Sequence, residues 1–189
     1  YLTEQISDNT FTIVPLGFDE VIPAVERREV DFVLSNPSFY VILEQDNLAT
    51  RIATLKTHQS DQSLTEFGGV LICRQDNESI ASYKDIQGKR FGAVADTSFG
   101  GWRVVQRELC EQGIDPVKDC SELVFCGTHD RVIYAIANGS VEVGSVRTDT
   151  LEHMASEELI RIEDFRVLPV YEGSTDDFLF NISTRLYPE

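Results

Sequence analysis

The stretch from Arg90 to Leu109 constrains this chain more than any other. Phe91-Gly92-Ala93-Val94-Ala95 is a short apolar run fit for a buried strand. Asp96, Thr97 and Ser98 follow, all residue types that cap helix N-termini. Gly100 and Gly101 permit a close approach of backbone to another group. Trp102, Val105, Gln106 and Leu109 then recur at helical spacing. A strand that turns into a helix in this way aims unpaired N–H groups and a positive dipole end at whatever lies above the turn, which is an anion site in outline. An ordinary strand-to-helix turn with a good cap has the same spacing. The full phosphate-loop and dinucleotide patterns are missing, since no Lys follows and the two glycines are adjacent.

The same alternation runs through the rest of the chain. Strands are predicted at Phe11–Leu16, Asp31–Ser35, Thr50–Leu55, Gly68–Arg74, Leu123–Cys126, Val141–Val146 and Phe165–Val170. Helices are predicted over Phe18–Arg28, from Asn36-Pro37-Ser38 through Glu44, over Ser79–Ile86, from Thr128-His129-Asp130 to Asn138-Gly139, and from Thr148 or Asp149 to Glu157. Thr57–Ser63 is polar and reads as a loop, and Tyr1–Ile6 as the tail of a helix in an excised fragment. Repeated strand-helix units predict an α/β fold of parallel sheets covered by helices. Right-handed crossovers then bring the turns after successive strands to one sheet edge, so Thr97-Ser98, Thr128-His129 and Arg147-Thr148 share it.

Charge and cysteine content narrow the partners. The 189 residues carry 32 acidic and 16 basic side chains, a net charge of -16. Such a surface repels nucleic acid and anionic lipid, yet admits a small anion, because local donors outweigh distant screened charges. No apolar run is long enough to span a membrane and no signal peptide is visible. The four cysteines, Cys73, Cys110, Cys120 and Cys126, match no zinc or redox spacing. Cys110 ends a predicted helix and Cys120 precedes the next strand, so a disulfide across that loop is expected, while Cys73 and Cys126 lie in apolar strands. No metal-ligand set, paired carboxylates or nucleophile–base constellation stands out, so neither cofactor nor catalysis is expected, and an enzyme on this fold is the weakest reading.

Four passages carry a family resemblance: Ala24 to Pro37, Tyr83 to Gly92, Thr97-Ser98-Phe99-Gly100-Gly101, and Gly127-Thr128-His129-Asp130 with the helix to Asn138-Gly139. In this order they resemble the PhnD-type phosphate, phosphite and phosphonate-binding family, which has the type II periplasmic binding fold. Gly144 to Glu152 looks like the branch fused to membrane sensor histidine kinases, the type that includes tetrathionate sensors. Transporter receptors more often carry a small or acidic residue near Arg147, which disfavours amine-bearing phosphonates.

The resemblance implies two lobes: 1–67 plus 170–189, and 68–169, with crossing strands near Gly68-Gly69 and Leu168-Pro169. Lobe one is expected to lack its usual first strand and to be trimmed at both ends, leaving an edge that a second copy could cover as a homodimer. A small oxoanion would lie between the lobes. Ser98, Gly100, Gly101, Thr128, His129, Arg147 and Thr148 would bind it from lobe two, and Asn36 and Tyr40 would close from lobe one. His129 is expected to be charge-sensitive near neutral pH and Arg147 to grip the anion with a bidentate fork. The implied function is an extracytoplasmic ligand-sensing domain of a histidine kinase, held to the membrane through flanking segments. The alternative is a solute receptor of a phosphonate-type ABC transporter.

Overall fold

In the computed structural model, which describes every residue except 1, 7, 47, 60, 61, 174, 176 and 189, strand-forming sequence becomes strand only where it finds a partner. The N-terminal third contains α1 (Leu2–Gln5), α2 (Val21–Glu26) and α3 (Pro37–Gln45). Helix α3 forms for local reasons. Asn36 holds extended backbone and its Oδ1 accepts the Phe39 N–H at 3.1 Å, while Pro37 fits the first turn. Phe39 and Leu43, four apart, bury its inner face.

The expected strands at 11–16, 31–35 and 50–55 are not formed. Among the described residues these segments join no ladder, and Ile13, Leu34 and Ile52 stand 91, 85 and 78% exposed. Phe11 and Phe32 bring their rings to 6.4 Å without backbone pairing between the segments. Apolar β-branched sequence supplies propensity, but a strand exists through the hydrogen bonds of a neighbour. The polar segment 57–63, expected as a loop, does find one. There β1 (Thr57–Gln59) and β2 (Gln62–Leu64) pair antiparallel, Thr57 opposite Leu64.

The remaining strands are β3 (Glu66–Phe67), β4 (Gly69–Arg74), β5 (Arg90–Ala93), β6 (Glu122–Phe125), β7 (Val143–Arg147), β8 (Phe165–Val167) and β9 (Tyr187–Pro188). Five of them build one sheet in the order β6-β5-β7-β4-β8. Strands β6, β5 and β7 run parallel, whereas β4 runs antiparallel to both β7 and β8, so the sheet is mixed rather than all parallel. Apolar runs do not encode direction, and pairing decides it. The helices on this sheet are α4 (Val104–Glu111), α5 (Pro116–Asp119), α6 (His129–Ala137) and α7 (Thr150–Ser156). Only the last turn of the expected helix at 79–86 forms, a 3-10 turn at Tyr83–Ile86 that Ser82 and Asp85 close with a capping box.

Side chains alternate across β4 and so create two cores. Leu71 and Cys73 pack with Phe91, Trp102, Val105 and Leu109 on one face. Val70 and Ile72 pack with Val132, Ile136, Leu151 and Met154 on the other. Each such fully buried side chain contributes about 1.5–3 kcal/mol. Strand β9 returns antiparallel to β3, with Tyr187 opposite Phe67. Just before it, Ser183 Oγ accepts the Leu71 N–H at 2.8 Å and Thr184 Oγ1 accepts the Gly69 N–H at 3.0 Å. The chain's last stretch is thereby stitched onto β4.

All four cysteines are free thiols, so the expected Cys110–Cys120 bond is not formed. Cys120 turns inward, with Sγ 3.6 Å from the Ile86 carbonyl oxygen, while Cys110 is exposed. No helix among the described residues is long and apolar enough to cross a membrane.

Candidate functional site

The turns after β5, β6 and β7 meet at one sheet edge, because these three neighbouring strands are parallel. After β5 the chain makes a single π-turn, Phe99–Arg103, before α4 begins. Its bonds span five residues: Arg103 N–H reaches the Ser98 carbonyl at 3.0 Å, and Val104 N–H that of Phe99. Ser145 Oγ on β7 donates to the Gly101 carbonyl at 2.7 Å and pins the turn to the sheet. The two glycines serve protein packing at this point. A Cβ on Gly101 would lie 2.8 Å from Ser98 Oγ and 2.9 Å from His129 Cε1, and one on Gly100 would lie 3.0 Å from Arg147 Cβ. The same distances put Ser98, Gly100, Gly101, His129 and Arg147 in one cluster.

Within it, Ser98 is 3% exposed and makes no side-chain cap, while Thr128 is exposed and starts α6. His129 Nδ1 accepts the backbone N–H of Arg147 at 3.1 Å. Burial, joined by the Arg147 charge, pushes its pKa down to about 4. His129 is therefore neutral at pH 7, with its proton on Nε2 as a hydrogen-bond donor. The expected charge sensitivity near neutral pH is lost for that reason. The Arg147 guanidinium lies over the Phe67 ring at 4.5 Å and 3.9 Å from Asp149, whose left-handed backbone (φ 75°) turns the chain into α7.

Three expected site residues are engaged elsewhere. Thr148 Oγ1 accepts the Gly68 N–H at 3.2 Å and its own N–H donates to the Gly68 carbonyl at 3.1 Å, so it fastens the entry to β4. The Asn36 side chain caps α3, and the Tyr40 hydroxyl donates to Glu44 on the same helix.

A cleft lies one step to the side. A cleft of about 300 Å³ separates α3, through Ser38, Val41 and Ile42, from Thr97, Phe99 and Arg103 on the β5 turn. Thr97 Oγ1 is buried and has no hydrogen-bond partner among the described residues. Sequence reading placed Thr97 at the sheet edge but missed Ser38, Phe99 and Arg103. The available signal was Arg103 following Phe99 by four residues in a glycine turn, but only the π-turn sets the face on which it emerges. Among the described residues no group of three or more His, Cys, Asp or Glu is placed to hold a metal ion.

Residues 1–184 match the family described as "ABC transporter, phosphonate, periplasmic substrate-binding protein". The chain belongs to this family. A relative within reach of sequence comparison is the tetrathionate sensor histidine kinase TtrS of Salmonella typhimurium, 30% identical over 169 residues. That match covers 88% of this chain and 28% of the kinase. Among solved structures, XAC2383 from Xanthomonas citri bound to ATP superposes with a TM-score of 0.64 at 19% identity, covering 91% of this chain and 60% of that one. PhnD1 from Prochlorococcus marinus in complex with methylphosphonate gives 0.64 at 15% identity, covering 93% and 59%. The chain thus spans little more than a quarter of the kinase and about three-fifths of the solved binding proteins. This phosphonate-binding family member shares with them the type II periplasmic binding fold.

Proposed function

We propose that this chain is the extracytoplasmic ligand-sensing domain of a two-component sensor histidine kinase, and that it binds a small oxoanion at the edge where β5, β6 and β7 end. The observation that carries the reading is the convergence of three turns on that edge beside a cleft walled by α3, in a chain of a phosphonate-binding family. Similarity to TtrS over 88% of the chain supports the kinase assignment. The lobes are 1–67 with 170–189, and 68–169, and ligand brings α3 against the turns. Ser98, Thr128 and the amides of Gly100 and Gly101 frame the edge with Arg147. His129 contributes its Nε2–H as a neutral donor, which avoids charge–charge competition with Arg147. Segments of the full-length protein would hold the domain at the membrane, and pairing of two copies would carry the signal.

A second reading, a receptor for an ABC transporter, is favoured by the family description and by the methylphosphonate held by PhnD1. Two measurements separate them. Thermal-shift titration with tetrathionate, methylphosphonate, phosphate and sulfate tests oxoanion binding, and a stabilised melting transition with at least one is expected. Replacing the matching segment of TtrS with this chain then tests signalling. Autophosphorylation that responds to the bound anion is the sensor outcome, and binding with a silent chimera favours the receptor.

A further inference from the structure

The cleft against α3 carries a cation of its own. Arg103 ends the π-turn, is exposed, and faces Ser38 and Val41 across the cleft. Among the described residues no carboxylate lies within ion-pair distance of it, although the chain has 32 acidic residues against 16 basic ones. Its neighbours differ. Arg107, one turn on, holds Glu111 at 3.0 Å, and Arg185 holds Glu108 at 2.7 Å. Among the described residues no acidic side chain lines the cleft, and its walls at Val41, Ile42 and Phe99 are apolar. Thr97, in the same wall, adds a buried hydroxyl oxygen that has no partner among the described residues. Among the described residues, then, a guanidinium without an ion pair and a hydroxyl without a partner belong to residues that line one largely apolar space. In such surroundings a charge-assisted bond counts for more than at an open surface. The π-turn explains the placement, since its extra residue shifts where the side chain leaves the helix.

We propose that Arg103 is a ligand-binding residue that grips an oxoanion in the α3 cleft, with Thr97 donating its hydroxyl beside it. This rests on the oxoanion-binding reading above. Arg103 is a second cation beyond Arg147, and it belongs to the cleft rather than to the sheet-edge cluster. The test is calorimetric titration of the protein with methylphosphonate, phosphate and tetrathionate, for wild type, Arg103→Gln, Arg103→Met and Arg103→Lys. For the probe that binds wild type most tightly, Kd rises about tenfold or more in Arg103→Gln and Arg103→Met. Arg103→Lys, which keeps the charge, recovers most of that loss. Unchanged thermal midpoints without ligand are expected, because the side chain makes no packing core. A Kd within about twofold of wild type in both neutral variants overturns the role of Arg103 while leaving oxoanion binding in place. If wild type binds none of the three probes, the oxoanion reading falls and this inference falls with it.

Discussion

His129 illustrates how one contact resets a residue's chemistry. Its Nδ1 is occupied by the Arg147 N–H, and burial beside the Arg147 charge lowers its pKa from 6.5 to about 4. A depressed histidine pKa means that the unfolded chain binds the proton first as pH falls. The resulting stability is complete above pH 6.5 and is lost on descent toward pH 4. Urea midpoints measured between pH 7 and 5 should therefore drop in wild type and drop less in His129→Gln, whose amide oxygen can still accept the Arg147 N–H. Equal slopes in the two proteins would exclude the linkage. Gly101 makes a steric prediction at the same scale. A methyl group there would meet Ser98 Oγ and His129 Cε1 inside 3.0 Å, so Gly101→Ala should cost about 2 kcal/mol in denaturant unfolding.

At the scale of elements, α4 is tied to the chain's last stretch by a buried charge. Glu108 is 1% exposed, and its carboxylate accepts from the Arg185 guanidinium, the Arg185 N–H at 3.3 Å and the Tyr187 hydroxyl at 3.1 Å. Arg185 also pairs with Glu111 and lies over Tyr171 at 5.3 Å. Its own pKa is raised, chiefly by the hydrogen bond to Glu108. Removing the cation strands the buried Glu108 carboxylate, so Arg185→Met should lower the urea midpoint of unfolding. Glu108→Gln with Arg185→Met should recover part of that loss, because no buried charge is then left alone. A double variant no more stable than the single one would show that packing of Arg185, and not charge, holds β9 in place.

Across the whole molecule, order is unevenly distributed. The sheet β6-β5-β7-β4-β8 has cores on both faces, while 11–16, 31–35 and 50–55 lie outside any ladder. Hydrogen exchange should reflect this directly. Amides of Leu71, Ile72, Gly92 and Val143, within the central strands, should exchange only on global unfolding. Those of Ile13, Val33 and Ile52 should exchange within seconds. Slow exchange at the latter would mean that these segments pair with a partner in solution.

What could be read without coordinates follows from local rules. The strand at β5, the Asn36 cap of α3, the helix from Thr128 to the Asn138-Gly139 end and the strand at β7 each carry their cause within a few residues. The shared edge of Ser98, His129 and Arg147 was also legible, because parallel crossovers have one hand. The rest depends on contacts distant along the chain. Strand direction in β4, the unpaired state of 11–16, 31–35 and 50–55, and the neutral state of His129 are all set by what lies alongside. Pairing, burial and the field of a neighbouring charge are properties of juxtaposition. Residue types and spacing alone therefore placed the strand-end turns, and only the tertiary structure decided that Arg103 and Thr97 line the open cleft beside them.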